Sequence, residues 1–252
     1  MRAENDPTLN MAQPALIITA PRTGATFLAH CLSNHSQVFC DRGEPLHHNS
    51  PWGRHLPGQH LAFIECLTHM VGYRVSMCKL LYRQAFDPGV WPYLVSRQPR
   101  VIHLTRANRI RQAVSLLLNT RARMGEIEWP QHTFESVAPR ATTLPAEAVL
   151  NMARDLEGQE RQATETLQAI ADVMLISYGE LMGGERGQAE SLSQEVGRRI
   201  CHFLGVLPEP LGCDLRRVNS RPLQEMLVNW PELGAAIAAS EFADHLEDES
   251  NG

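Results

Sequence analysis

The sequence of 252 residues predicts an α/β fold with a central, mostly parallel sheet flanked by helices. Strand-like and helix-like segments alternate along the chain, which is the pattern of such folds. The strand-like runs are mostly apolar, as expected for parallel strands that are buried on both faces. The length and the hydrophobic content of 43% are sufficient for one domain with a full core.

The segments follow one another in a regular order. The first strand is predicted over 15–20, and the first helix follows at once over 26–35. A typical helix C-terminus, Leu204-Gly205 with Pro208 beyond it, ends the last long helix. The other strands are predicted over 73–79, 100–105 and 172–177, and the other helices over 59–70, 108–123, 145–171 and 189–204.

The domain organisation that we predict is simple. Residues 14–238 form a single domain, between a flexible N-terminal segment over 1–13 and an acidic flexible tail over 239–252. Segment 124–144 is polar and contains two prolines, so it is interpreted as a long loop or a lid near the substrate. Segment 40–58 is a second irregular stretch, rich in Gly, Pro and His.

Charge and composition exclude several function classes. The formal net charge of −5 gives no basic excess, so no nucleic-acid partner is expected. The six cysteines form no CxxC pair and no Cys/His cluster at zinc spacing, which favours reduced thiols and no metal. No run reaches the roughly 18 apolar residues of a membrane span, and no signal peptide begins the chain, so we expect a cytoplasmic protein without integral membrane contact.

The most informative stretch is LIITAPRTGATFL over 16–28, in which an apolar strand passes through a short loop into a helix. The unpaired N–H groups and the dipole of a helix N-terminus stabilise an anion there. Gly24 allows close approach of the backbone, and Arg22 and Thr26 add side-chain donors. The loop lacks the GxxxxGK[ST] spacing of a Walker A sequence and its lysine. It therefore predicts a site for a different phosphate-bearing ligand.

A second basic segment, RANRIRQAVS, follows the strand predicted over 100–105. In open α/β sheets ligands bind beyond the carboxyl ends of the strands, so Arg106 is a candidate for a second anion contact. Ser115 lies on the helix that follows. Taken alone, an arginine that begins a helix is more often a solvated surface residue, and Ser115 is more often an ordinary helix residue.

The ordered set of motifs resembles the sulfotransferases that use 3′-phosphoadenosine 5′-phosphosulfate (PAPS). PRTGATFL is similar to their 5′-phosphosulfate loop, and RANRIRQAVS to their 3′-phosphate motif. DVMLISYGELMG with VGRRICHFLGV, and RRVNSRPLQEMLVNWPELGAAI, resemble later segments of the family. GEPLH and SMCKLLY resemble stretches of the bacterial trehalose 2-sulfotransferase group. The resemblance implies a P-loop NTPase-like sulfotransferase fold.

The resemblance also implies roles for individual residues. The 5′-phosphosulfate would be held by Arg22, Thr23, Gly24, Ala25 and Thr26, largely through backbone N–H groups. Arg106 and Ser115 would hold the 3′-phosphate. The acceptor would be a hydroxyl of a carbohydrate, a glycolipid or another small molecule, and no metal would be required. The oligomeric state is left open between a monomer and a homodimer.

The acceptor hydroxyl needs a base, and His47 in GEPLH stands where the trehalose group has a glutamate. A histidine suits this task near neutral pH. Glu44 and His48 are competing candidates, and His47 can also be a loop residue without a catalytic role. Lys79, predicted to end its strand, is expected to join Arg22 in neutralising the transferring group, although a lysine at a strand end can instead reach solvent along its stem.

Two other functions use the same strand, loop and helix. One is an ATP-dependent small-molecule kinase of P-loop type, against which the missing Walker lysine counts. The other is a non-catalytic nucleotide-binding module.

The helix predicted over 145–171 has two distinct faces. The spacing of its Met and Leu residues predicts a stripe that faces the core. Its solvated face is predicted to consist of Arg154, Glu157, Glu160 and Arg161.

Overall fold

The computed structural model describes residues 12–44, 46, 60–68, 70–127, 142–183, 191–215 and 221–250. The strands are β1 (Gln13–Thr19), β2 (Val38–Cys40), β3 (Val75–Leu81), β4 (Arg100–Thr105) and β5 (Val173–Ser177). They form one sheet in the order β2-β3-β1-β4-β5, and every neighbouring pair runs parallel. The predicted fold class, an α/β fold around a parallel sheet, is confirmed.

Helices connect and cover these strands, and the long ones lie close to their predicted positions. Short helices over 82–85, 91–97, 178–182, 223–226 and 230–238 were not predicted. No helix in the described ranges is long and apolar enough to cross a membrane. The helices are α1 (Ala25–Ser33), α2 (His60–Thr68), α3 (Tyr82–Ala85), α4 (Trp91–Arg97), α5 (Arg109–Arg123), α6 (Ala146–Leu167), α7 (Tyr178–Met182), α8 (Gln194–Leu204), α9 (Leu223–Met226) and α10 (Trp230–Ala238), followed by a 3-10 helix over Ala243–Ser250.

Side-chain caps mark where two of the long helices, α5 and α8, begin. The Asn108 side chain accepts a hydrogen bond from the main-chain N–H of Arg111 at 2.8 Å, so α5 starts at Arg109. Ser193 caps α8 in the same way at 3.3 Å. The prediction that this helix begins at residue 189 is therefore wrong, because its cap lies four residues later. Gly205, at φ 68°, ends α8 as predicted.

Both faces of the central strands of the sheet are buried, which explains why these strands are apolar. In β1, Ala15 and Ile17 point to a layer formed with α1 and α8, whereas Leu16 and Ile18 point to a layer formed with α5 and α6. All four side chains are fully buried. The loops at the strand ends thus extend from a rigid sheet.

The strand register brings the carboxyl ends of the strands to one edge. Thr19 lies opposite Leu81 of β3 and Leu104 of β4, and Thr105 lies opposite Ser177 of β5. The segments that follow the four strands therefore emerge side by side. Lys79 does not end its strand as predicted, since β3 continues to Leu81.

Part of the segment predicted as a C-terminal tail is packed against the domain. Phe242 is 2% exposed and belongs to the core. The main-chain oxygen of His245 accepts a hydrogen bond from Asn108 Nδ2 at 3.1 Å. Packed residues thus extend past the predicted boundary at residue 238, and the flexibility of the tail stays a prediction.

Buried His103 in β4 is expected to make folding stability depend on pH. Burial lowers its pKa from 6.5 to about 4, and Tyr82 Oη lies 2.8 Å from Nε2. Between these two pH values the unfolded chain binds more protons than the folded protein, so stability falls on acidification, by about 3 kcal/mol for this group. Urea denaturation of the wild type and His103→Gln between pH 7 and 4 should show a smaller acid loss in the variant. If the unfolding free energies of the wild type and His103→Gln fall equally with pH, His103 is not the cause of the acid loss.

Candidate functional site

The loop between β1 and α1 has a conformation that few side chains adopt. Arg22 has φ 64° and Gly24 has φ 82°, so two residues of one short loop lie in the left-handed region. No side chain in the described ranges caps the N-terminus of α1. The first N–H groups of this helix are consequently left for a ligand, as an anion site requires.

Gly24→Ala is expected to destabilise the fold by about 1–2 kcal/mol through positive φ, with a further cost from contacts. A Cβ at residue 24 would lie 3.1 Å from Leu181 Cδ2 and 3.1 Å from Tyr178 Cδ2. Gly183→Ala is the matched control, because Gly183 has φ 72° and nothing within 4 Å of the added Cβ. Urea denaturation should therefore rank Gly24→Ala as the more destabilised variant, whereas equal losses would rule out the contact cost.

Two consecutive carbonyl groups of the loop are held by side chains from other segments. Gln112 Nε2 donates to the Pro21 oxygen at 2.8 Å, and Arg106 Nη1 donates to the Arg22 oxygen at 2.9 Å. The peptide bonds are trans, so the N–H of each peptide points away from its carbonyl oxygen. The N–H groups of Arg22 and Thr23 are thereby fixed on the opposite side of the loop from these contacts.

Thr23 contributes to the loop through its backbone. Its side chain is buried, with Oγ1 2.5 Å from Thr19 Oγ1, and Thr19 Oγ1 donates to the Leu104 oxygen at 2.7 Å. These hydroxyls tie the loop to the end of β4. The Thr23 side chain thus serves the fold, as does that of Ala25, which belongs to the hydrophobic core.

Arg106 and Ser115, about ninety residues further along the chain, converge on Arg22. Arg22 Nε donates to Ser115 Oγ at 2.9 Å, while Arg106 contacts the Arg22 main chain as described. The Arg106 guanidinium also lies over the Tyr178 ring, 4.3 Å from its centroid. Burial lowers the pKa of Arg22 from its ordinary value, which reflects a cation that has lost much of its water. The structure therefore brings the two predicted anion segments together.

Lys79 and Glu44 lie beside the end of the same loop, where α1 begins. Lys79 Nζ donates to Thr26 Oγ1 at 3.0 Å and is 3.5 Å from Glu44 Oε1. The Lys79 side chain is only 4% exposed, so it does not reach solvent along its stem. Burial lowers the pKa of Lys79, and the Glu44 carboxylate opposes this shift. A cation is thus held beside the first turn of α1.

These residues line a cavity of about 730 Å³. It is within the usual size range of small-ligand sites. Basic side chains outnumber acidic ones around it by six to two, although the whole chain has a net charge of −5. They are Arg22, Lys79, Arg83, Arg106, Arg111 and Arg123, against Glu44 and Asp155. The cavity is therefore suited to a ligand with several negative charges.

Several residues that line the cavity were missed in the sequence, among them Arg111 and Arg123 of α5. Tyr178 follows β5 and supplies an aromatic face, and its place after a strand was the available signal. Arg83 follows β3 within the short helix α3. From α6, Met152 and Leu156 line the cavity, so the predicted core-facing stripe has a second role.

The predicted solvated face of α6 needs a correction at Glu160. Its carboxylate pairs with Arg109 of α5, and the two side chains are 17% and 10% exposed. Arg154, Glu157 and Arg161 are exposed as predicted. Glu160 differs because α5 packs against this side of α6.

Some predicted features lie outside the described residues. These are His47, the candidate base, His48, its competitor, and most of the segment interpreted as a lid, over 128–141. Within the described ranges, no group of three or more His, Cys, Asp or Glu side chains could hold a metal ion. The absence of a metal requirement stays a prediction.

Comparison with known proteins adds information on the fold. No protein-family model matches the chain, and no curated protein matches it in sequence. Among solved structures, a sulfotransferase from Alicyclobacillus acidocaldarius is similar, with a TM-score of 0.54 and 17% identity over 93% of this chain and 94% of that one. This chain shares the fold of that sulfotransferase. The sulfotransferase domain from the curacin biosynthetic pathway has a TM-score of 0.48 and 14% identity over 95% of this chain and 96% of that domain.

Proposed function

We propose that the protein is a PAPS-dependent sulfotransferase that transfers a sulfonate group to a hydroxyl. The observation that carries the proposal is the convergence of Arg106 and Ser115 on Arg22, beside the uncapped N-terminus of α1. A nucleotide with phosphates at both the 5′ and the 3′ position of its ribose needs two neighbouring anion sites. The basic cavity supplies the charge for both.

The geometry supports the donor-binding roles that we propose. The N–H groups at the start of α1 and the Arg22 guanidinium would bind the 5′-phosphosulfate. Arg106 and the Ser115 hydroxyl would bind the 3′-phosphate, and each also holds part of Arg22 in place. PAPS supplies the sulfonate that the acceptor hydroxyl takes up. The chain's own part is to position the two reactants and to stabilise charge.

Lys79 and the candidate bases would serve the transfer itself. Lys79 Nζ lies next to Thr26 in the first turn of α1, where it can stabilise negative charge on the leaving oxygen. His47 stays the proposed base that removes the proton of the acceptor hydroxyl. Glu44 is its competitor inside the described cavity, and its carboxylate already engages Lys79.

For the acceptor, we propose a carbohydrate or glycolipid hydroxyl, with trehalose as the first compound to test. The support is the likeness of GEPLH and SMCKLLY to the trehalose 2-sulfotransferase group. Acceptor specificity resides in loops, and the segment around His47 differs from that group at the base position.

Thermal shift separates this proposal from its two rivals. At 100 times its Kd, a ligand adds about 2.7 kcal/mol of stability. We expect 3′-phosphoadenosine 5′-phosphate to stabilise the protein more than ADP or ATP with Mg²⁺. Stabilisation by ATP with Mg²⁺ alone would overturn the proposal in favour of a kinase. Labelled-sulfate transfer from PAPS to a panel of hydroxyl compounds then distinguishes an enzyme from a binding module.

A further inference from the structure

A buried chain of polar side chains connects α6 with the anion-binding loop. Glu160 of α6 accepts a hydrogen bond from Arg109 Nη2. Arg109 Nη1 donates to Gln112 Oε1 at 3.1 Å, and Gln112 Nε2 donates to the Pro21 oxygen at 2.8 Å. Gln112 is fully buried. None of the three side chains lines the cavity, so each can affect a ligand only through its neighbours.

The chemistry of arginine fixes the orientation of the Gln112 amide. A guanidinium group only donates hydrogen bonds, so the oxygen of the amide must face Arg109. The NH₂ group then faces the Pro21 carbonyl, which only accepts. Reversing the amide would place donors against donors and acceptors against acceptors. Glu160 fixes Arg109 in turn, because a carboxylate only accepts.

The hydrogen bond to the Pro21 carbonyl affects the orientation of the first peptide of the loop. Its peptide also contains the N–H of Arg22, the residue with φ 64°. Rotation of this peptide would turn the N–H group and shift the start of the loop. A buried ion pair such as Arg109 with Glu160 contributes little net stability, because removing both charges from water is costly. Because Arg109 also contacts Gln112, this ion pair can affect the conformation of the loop as well as stability.

We propose that Gln112 is a positioning residue of the anion-binding loop and that Arg109 and Glu160 orient it. The inference rests on the proposed function in taking the bound anion to be the donor nucleotide. It also connects two segments that line the cavity, because α6 contributes both Glu160 and the cavity-lining side chains Met152 and Leu156. Through Glu160, α6 thereby supports the anion-binding loop.

The first test is Gln112→Met, which keeps the length of the side chain and removes both hydrogen bonds. We expect the Kd of 3′-phosphoadenosine 5′-phosphate, measured by calorimetry, to rise about tenfold through the loss of a buried contact. Gln98→Met is the matched control, since the Gln98 amide bonds to the main chain of Val95, Ala169 and Ala171, none of which lines the cavity. The control should bind like the wild type. Equal Kd values for Gln112→Met and the wild type would overturn the proposal.

A second variant distinguishes weaker nucleotide binding from a loss of folding stability. Gln112→Glu keeps the shape and the contact with Arg109 but places an oxygen against the Pro21 oxygen. It should weaken nucleotide binding at least as much as Gln112→Met, with the fold checked by urea denaturation. Binding at the wild-type level in a folded Gln112→Glu variant would also overturn the proposal.

A double-mutant cycle tests whether Arg109 acts through Gln112. Arg109→Lys keeps a charge opposite Glu160 but lacks the planar fork that reaches both partners. It should raise the Kd several-fold in the wild-type background and cause no further increase in Gln112→Met. Additive increases would refute the orienting role of Arg109.

The outcome also separates this inference from the proposed function. If the wild type does not bind the 3′-phosphorylated nucleotide, the proposed function fails. The same variants are then compared with inorganic pyrophosphate as the probe. Weaker pyrophosphate binding by Gln112→Met than by Gln98→Met would support the positioning role, and equal binding would refute it.

Discussion

Lys79→Met is expected to lower the kcat/KM of sulfonate transfer by about 10²–10³, the effect of removing one group that stabilises transition-state charge. Lys79 is almost fully buried, with Nζ 3.0 Å from Thr26 Oγ1 in the first turn of α1. A cation fixed at this point needs little reorganisation when charge develops on the leaving oxygen. Binding of 3′-phosphoadenosine 5′-phosphate should weaken far less than turnover, because this nucleotide has other contacts.

The pH dependence of activity provides a second test of the role of Lys79. Burial lowers its pKa below the ordinary 10.5, so the charged form is lost at a lower pH than in a free lysine. Activity of the wild type should therefore decline on the alkaline side before pH 10.5 is reached. Lys79→Arg keeps its charge throughout, so its residual activity should show no such decline. Turnover by Lys79→Met within a few-fold of the wild type would mean that the lysine is only a buried strand residue.

Arg106→Met is expected to raise the Kd of 3′-phosphoadenosine 5′-phosphate by about 10- to 100-fold, the usual effect of losing a charge-assisted contact. The Kd of ADP, which lacks the 3′-phosphate, should change much less. Arg106 is 9% exposed and lies between the Arg22 carbonyl and the Tyr178 ring, so its position is well defined. Calorimetry with the two nucleotides measures the preference directly.

Two companion variants separate the roles of Arg106. Ser115→Ala removes the other predicted 3′-phosphate contact without touching the Arg22 carbonyl, so it should reduce the same preference to a smaller extent. Arg106→Lys keeps the charge without the planar fork. If Arg106→Met weakens the binding of both nucleotides equally, this arginine holds the loop and does not bind the 3′-phosphate.

The parts of the fold that the sequence predicted are those with strong local signals. The strands at 13–19 and 100–105 are apolar runs that helices bury on both faces, and the strand at 173–177 is an apolar run at the edge of the sheet. Two of the long helices carry side-chain N-caps, and α8 ends at a glycine. The three-residue strand β2 was missed, because periodicity cannot be detected over three positions. The order of the strands depends on tertiary packing and was not predicted.

The site shows the same division between local and distant contacts. The loop after β1 and Arg106 were found because both follow apolar strands. Gln112 was not found, since a glutamine within a helix normally faces water and only the packing of the loop against α5 buries it. Glu160 was misassigned for a related reason. Its partner Arg109 is 51 residues away in the chain, and nothing near Glu160 in the sequence indicates the contact.

The left-handed Arg22 has a consequence for how this protein would respond to selection. A non-glycine residue at φ 64° costs about 1–2 kcal/mol of folding stability, and burial of its cation adds to that cost. Laboratory evolution for heat resistance alone would therefore favour glycine or asparagine at this position. Either replacement would remove the guanidinium that Ser115 holds. Under the proposed function, variants selected for heat resistance would therefore differ at residue 22 from variants selected for tight binding of the donor nucleotide.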